Sequence, residues 1–183
     1  PLGGTDADTK RYETEVAVDN GAQEIDVVMN IARLKDGNDK YVLRELRDVA
    51  EAADERIVKV ILEACLLTHD EKLRACQLIL DSGAHFVKTS TGYSNGGATV
   101  DDIRLLREAV GPDFGVKASG GIRDYASAMA LIEAGANRLG TNSLVDLLVF
   151  GKRAGEYAAK YAKEKAMPTL NASEVEAAAA YAL

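Results

Sequence analysis

Short apolar runs alternate with amphipathic stretches along most of the chain. The runs are EIDVVMNI at 24–31, RIVKVILEA at 56–64, HFVKTS at 85–90, FGVKAS at 114–119 and NRLGTN at 137–142. Between them YVLRELRDVAEAA at 41–53, HDEKLRACQLIL at 69–80, VDDIRLLREAV at 100–110 and YASAMALIEAGA at 125–136 repeat their apolar positions at helical spacing. The pattern predicts five strands with helices between them. Thr68, Thr99 and Asp124 are placed to start helices, and Gly83 and Gly135 to end them. Asp26, Lys59, Lys88 and Lys117 follow one another at intervals of 33, 29 and 29 positions, close to the roughly 30 residues of a βαβ unit. Near-continuous apolar strands joined by helical crossovers make a parallel sheet.

A doubly wound sheet and a (β/α) barrel both fit this order. Glycine-rich loops follow several strands here, where a dinucleotide fold would place one after the first strand, and this favours the barrel. Five strands fall short of the eight of a full barrel. The opening PLGGT reads as though an upstream strand were absent, so the expectation is an incomplete TIM barrel of the α/β class with its N-terminal strands missing.

Composition narrows the function. A chain of 183 residues with 47% hydrophobic and 28% charged residues is of ordinary globular type, with one main core. Its net charge of −7 speaks against a nucleic-acid or anionic-membrane surface. No segment approaches the roughly 18 apolar residues of a membrane span and no signal peptide is visible, so a cytoplasmic protein is expected. Cys65 and Cys76 form no disulfide framework and read as core residues; two histidines without a cysteine pair leave no metal motif, and no cofactor is called for.

The chemistry lies in lysines within apolar strands. An ammonium there is costly unless paired or deprotonated, which is the setting of a nucleophilic amine. Lys88 precedes the small residues Thr89, Ser90, Thr91 and Gly92, where a carbonyl substrate could approach and form a Schiff base; the plain alternative is a strand-end lysine snorkelling to solvent. Lys117, on the next strand, favours the first reading, because repulsion between two ammonium groups keeps one neutral. Lys59 either adds to that effect or points outward between helices, the second being preferred. Asp26 is a proton shuttle, a buried ion-pair partner, or both. Glu24 and Glu63 read as solvent-facing or structural. ASGGIRD, with Gly120, Gly121 and Arg123, and RLGTNSL, with Gly140, Asn142 and Ser143, are loops whose backbone N–H groups could cradle a phosphate.

At EIDVVMNIARLKDG, VKVILEACLLT, FVKTSTGYSNGGATVDDIRLLRE and GVKASGGIRD the chain resembles the deoxyribose-phosphate aldolase family of class I, Schiff-base aldolases, from Pro1 to about Gly135. The resemblance implies a TIM barrel fold and reversible cleavage of 2-deoxyribose 5-phosphate to glyceraldehyde 3-phosphate and acetaldehyde, without a metal. It implies Lys88 as the Schiff-base lysine, Lys117 as the second lysine whose charge favours the neutral amine, and Asp26 as the carboxylate of a proton relay. Gly92, Gly120, Gly121 and Arg123 would line the phosphate site, with Gly140, Asn142 and Ser143 beside them.

From about Ala136, GANRLGTNSLVDLLVFGKRAGEYAAKYAKE is similar to the C-terminal part of the succinate dehydrogenase and fumarate reductase flavoprotein subunit. There Arg138 would contact a dicarboxylate, with Ser143 and Leu144 near a flavin. No dinucleotide fingerprint follows a first strand, so most of a flavin site is lacking. The expected organisation is a partial aldolase barrel over 1–142 and a helical extension over 143–183. A flavoprotein fragment and a non-catalytic scaffold are the alternatives. Small phosphorylated sugars and aldehydes are the expected partners, with self-association through open sheet edges.

Overall fold

The structure is a computed structural model that describes residues 1–140 together with Lys160. The boundary expected at 142/143 and, Lys160 apart, the extension beyond it lie outside the described residues. Five strands, β1 (Glu24–Val28), β2 (Ile57–Ile61), β3 (Phe86–Lys88), β4 (Gly115–Ser119) and β5 (Arg138–Gly140), form one parallel sheet in sequence order. This is the expected α/β architecture of successive barrel units. Among the described residues the sheet is not closed: β1 and β5 are its edges.

Register explains why apolar strands carry so many charges. Successive residues of a strand face opposite ways, and paired residues share a face. Ile25, Val27, Val58, Val60, Val87, Val116 and Ala118 all fall on one face and are buried. Glu24, Asp26, Lys59, Phe86, Lys88, Lys117 and Arg138 fall on the other. The first face packs under the helices with Leu46, Val49, Ile79, Ile103, Leu106 and Leu131 as the main core. The second is the concave side. The Arg138 guanidinium on β5 reaches Glu24 on β1 at 2.9 Å, joining the two edge strands across that concavity. It also lies over the Phe86 ring, 5.6 Å from its centroid, and Gly115 has no Cβ because one there would overlap that ring.

The helices begin where short polar side chains can cap them. They are α1 (Ala7–Asp19), α2 (Ile31–Lys35), α3 (Asp39–Ala52), α4 (His69–Leu80), α5 (Val100–Val110) and α6 (Tyr125–Glu133). Thr68, Thr99 and Asp124 are N-caps as expected, and Thr68 forms a reciprocal capping box with Glu71. Gly83 and Gly135 lie just past α4 and α6 at φ +87° and +116°, a backbone conformation that favours glycine.

Two elements escape the sequence pattern. α2 is too short to show a period. α1 buries Ala7, Lys10 and Thr14, which are small or polar, so no apolar stripe marks it. Cys76 is buried as expected, and burial pushes its thiol up to about 12. Cys65 is instead exposed, because it leaves β2 on a 3-10 turn (Ala64–Leu66).

Lys10 is what binds α1 to the sheet. Its ammonium donates to the Val28 carbonyl at 2.8 Å and pairs with Glu45 of α3 at 2.8 Å; Glu45 also accepts from the Asn30 N–H at 3.0 Å. Burial holds Lys10 below its ordinary value and Glu45 above its own, against the pull of the pair. Removing one partner strands the other. Lys10→Met should cost about 3–5 kcal/mol in urea unfolding, and Lys10→Met with Glu45→Leu should cost less than the sum of the two single changes. Additive losses would show that the pair is not coupled.

Candidate active site

Asp26 is the meeting point of the concave face. Its Oδ1 accepts a hydrogen bond from Lys88 Nζ at 3.0 Å and lies 3.5 Å from Lys117 Nζ, while Oδ2 lies 3.3 Å from Lys59 Nζ. Three strands supply the lysines and a fourth the carboxylate. Lys88 and Lys117 are register partners, which places their side chains abreast, and Asp26 and Lys59 are partners in the same way. The sequence intervals therefore did mark one cluster.

Lys59 is not directed outward between helices. It is 1% exposed on the concave face and pairs with Glu24 at 2.9 Å as well as with Asp26. The physical reason is parity: Lys59 sits opposite Asp26, so it must share that residue's face. Glu24 takes the structural role expected of it, between Lys59 and Arg138. Their charges hold its carboxyl low, the Lys59 hydrogen bond foremost.

The concave face carries the carboxylates Glu24 and Asp26 against the cations Lys59, Lys88, Lys117 and Arg138. Positive charge is in excess, a setting that favours a neutral amine or an anionic ligand. Burial lowers the Lys117 pKa first; Lys88 and Lys59 push it the same way, and Asp26 opposes them. For Asp26 burial pushes upward, but the Lys88 hydrogen bond and the three ammonium charges outweigh it, leaving the carboxyl below its ordinary value. A stable carboxylate beside a lysine that yields its proton readily is an arrangement suited to moving protons.

The glycine loops converge beyond the strand ends. Gly92 follows β3 at φ +88°, and Gly120 and Gly121 follow β4 at +82° and +77°. A Cβ on Gly120 would come within 3.3 Å of the Gly97 Cα and 3.4 Å of the Gly92 Cα, and one on Gly97 would overlap the Gly120 carbonyl. Gly97 is thus part of the same close approach, although the sequence reading passed over it. The Gly120 N–H donates to the Gly140 carbonyl at 3.3 Å and its carbonyl accepts from Ala98 at 3.0 Å. Arg123 is exposed two residues past Gly121. Gly140 ends β5 against Lys117, whose Cε a Cβ would overlap, so its lack of a side chain makes room for that lysine. Asn142 and Ser143 lie outside the described residues.

Glu63 takes the structural one of its two expected roles. It is fully buried, not in solvent, and its carboxylate accepts from the Thr91 N–H at 3.3 Å and, in a very short contact, from the Thr91 hydroxyl. Its position depends on the backbone path after β2, which passes through the left-handed region at Glu63 itself.

Comparison with known proteins gives the chain a family. A sequence profile described as DeoC/LacD family aldolase matches residues 3–152. The deoxyribose-phosphate aldolase of Alkaliphilus oremlandii is 56% identical over 149 residues, which cover 81% of this chain and 67% of that protein. Among solved structures, the aldolase QR15 superposes with a TM-score of 0.81 at 35% identity, over 87% of this chain and 71% of its own. The tetrameric deoxyribose phosphate aldolase of Aeropyrum pernix does so with a TM-score of 0.70 at 33% identity, over 78% and 60% of the two chains. The profile match continues past Ala136 to residue 152, and these comparisons lend the flavoprotein resemblance no support. With more than half of its length matched by the profile, the chain belongs to the DeoC/LacD family of aldolases.

Proposed function

We propose that this chain carries the site of a class I aldolase that cleaves 2-deoxy-D-ribose 5-phosphate reversibly to glyceraldehyde 3-phosphate and acetaldehyde. The observation that carries this reading is the sharing of one Asp26 oxygen by Lys88 at 3.0 Å and Lys117 at 3.5 Å, register partners on adjacent parallel strands. Lys88 is the nucleophile. Its neutral amine adds to the C1 aldehyde, and loss of water from the carbinolamine leaves a protonated imine. Removal of the C3 hydroxyl proton then breaks the C2–C3 bond, the electron pair passing into the imine as an enamine while glyceraldehyde 3-phosphate departs. Protonation of the enamine carbon and hydrolysis of the imine release acetaldehyde and restore the amine.

Asp26 and Lys117 handle the protons. Asp26 stays ionised and orients the lysines, and Lys117, held below the ordinary lysine value, gives and takes a proton with little penalty. Gly92, Gly120, Gly121 and Arg123, with Gly140, Asn142 and Ser143, are assigned to the substrate phosphate, for which the excess positive charge of the concave face is suited. A phosphorylated sugar substrate fits a cytoplasmic setting. The edges of β1 and β5, unpaired among the described residues, offer ladders through which copies of the chain could associate.

Acetaldehyde followed by borohydride should leave an ethyl group on Lys88, as read by peptide mapping. Label spread evenly over the surface lysines would sink the assignment. Lys117→Met should slow the trapping by about a hundredfold, within the range of lost acid–base assistance.

The same substitution should raise stability. The Lys117 pKa in the folded chain lies below the ordinary 10.5. At neutral pH its ammonium is therefore less favourable folded than unfolded, and the cost fades as pH rises from the folded value towards 10.5. Lys117→Met should melt higher than the parent near pH 7, with the gap narrowing as pH rises towards 10.5. A variant that melts lower at neutral pH would contradict the sign.

A further inference from the structure

Glu63 stands two residues past β2 in the left-handed region, at φ 49° and ψ 62°, a conformation uncommon outside glycine. Its side chain is fully buried and no basic residue pairs with it among the described residues. Instead, both the N–H and the hydroxyl of Thr91 donate to Oε2, and the Cys65 thiol lies 4.0 Å from Oε1. The Thr91 hydroxyl oxygen in turn accepts from the Tyr93 N–H at 3.1 Å.

Thr91 opens the loop that runs through Gly92 to Gly97, the wall that meets Gly120 and Gly121. The same turn supports the far end of that loop, where a Cβ on Gly96 would overlap the Cys65 Cβ. A cleft of about 570 Å³ opens between the two segments, lined by Cys65, Leu66, Tyr93, Ser94, Asn95 and Gly96. The loop is thus held at Thr91 by Glu63, at Gly96 by Cys65 and at Ala98 by the Gly120 carbonyl.

We infer that Glu63 is a positioning residue, which through Thr91 sets the shape of the 91–97 loop and thereby the preference for a phosphorylated substrate over its unphosphorylated counterpart. The inference rests on the aldolase reading above and on the assignment of the glycine loops to phosphate. A buried carboxylate taking two donors from one residue fixes the peptide that enters Gly92, and charge-assisted bonds of this kind are the strong ones. Glu63 touches neither Lys88 nor Asp26 in any described contact, so its loss should act on the phosphate end of the substrate and spare the amine chemistry.

Glu63→Gly, which suits the left-handed backbone, Glu63→Gln and Thr91→Val test this with 2-deoxyribose 5-phosphate and with 2-deoxyribose. For the phosphorylated substrate, Glu63→Gly and Thr91→Val should raise KM about tenfold and leave kcat within about twofold. With 2-deoxyribose kcat/KM should stay at the parent value. Glu63→Gln keeps an acceptor for the Thr91 hydroxyl and should recover part of the loss. Combining Glu63→Gly with Thr91→Val should do no more harm than the worse single change, because one acts through the other. Equal losses on both substrates, or additive losses in the double variant, would overturn the inference. Should Glu63→Gly not fold, Glu63→Gln and Thr91→Val carry the same comparison. Borohydride trapping separates the two readings: no adduct on the parent protein fails the aldolase assignment, whereas trapping with an unchanged phosphate preference in the variants fails this inference alone.

Discussion

One carboxylate facing three ammonium groups organises this molecule. Without Asp26 the concave side would hold Lys59, Lys88 and Lys117 in mutual repulsion, one of them shut away from water. With it, each lysine has an anionic oxygen within 3.5 Å. The balance still leans positive, since Arg138 takes up Glu24 and Lys59 has to share both carboxylates. That residual imbalance sets the chemical character of the site. It is relieved by a lysine giving up its proton or by an anion arriving, and a Schiff-base enzyme acting on a phosphate ester uses both.

The parallel sheet is what allows charges to be gathered so closely. Strict alternation sends every second side chain to the helix-covered face, where Val58, Val60, Val87, Val116 and Ala118 pack without polar atoms. The stability of the fold is therefore drawn mainly from one face and its chemistry from the other. Curvature brings strands that are distant in order within reach of each other, as the Glu24 to Arg138 contact between the two edges shows. A flat sheet with strands about 4.8 Å apart would hold its first and fifth strands nearly 20 Å from one another, beyond the span of any such pair.

Much of this was legible in the sequence. The five strands and four of the helices follow from period, three of the helix starts follow from capping chemistry, and Asp26, Lys88 and Lys117 stand out because ionised groups in apolar strands demand an explanation. Lys59 carries the same signal, but the face it takes depends on its parity relative to Asp26. That parity depends on register, which a single sequence does not state. α1 was invisible for a different reason: it buries a lysine and a threonine, so its hydrophobic period is erased. The burial of Glu63 and the part played by Gly97 do not show in the sequence because their positions arise from loop paths, and no local periodicity encodes a close approach between segments 28 or 23 residues apart.

The residues that escaped share a physical situation. Where β1 ends, the Val28 carbonyl accepts from Lys10 and the Asn30 N–H donates to Glu45. Past the end of β3, the Thr91 N–H donates to Glu63. Backbone groups leaving a parallel ladder lose their regular partners while still buried, and leaving them unpaired would cost more than burying a polar side chain that satisfies them. Charged side chains therefore enter the interior at the strand ends, where the loops of the site begin. They serve as fixed partners for particular peptide groups, and an apolar residue of the same volume could fill the space without directing the loop. The polar residues outside the lysine–aspartate cluster are thus explained by the same geometry that starts the glycine loops at the ends of the strands: departing backbone needs anchors, and those anchors fix the paths the loops take.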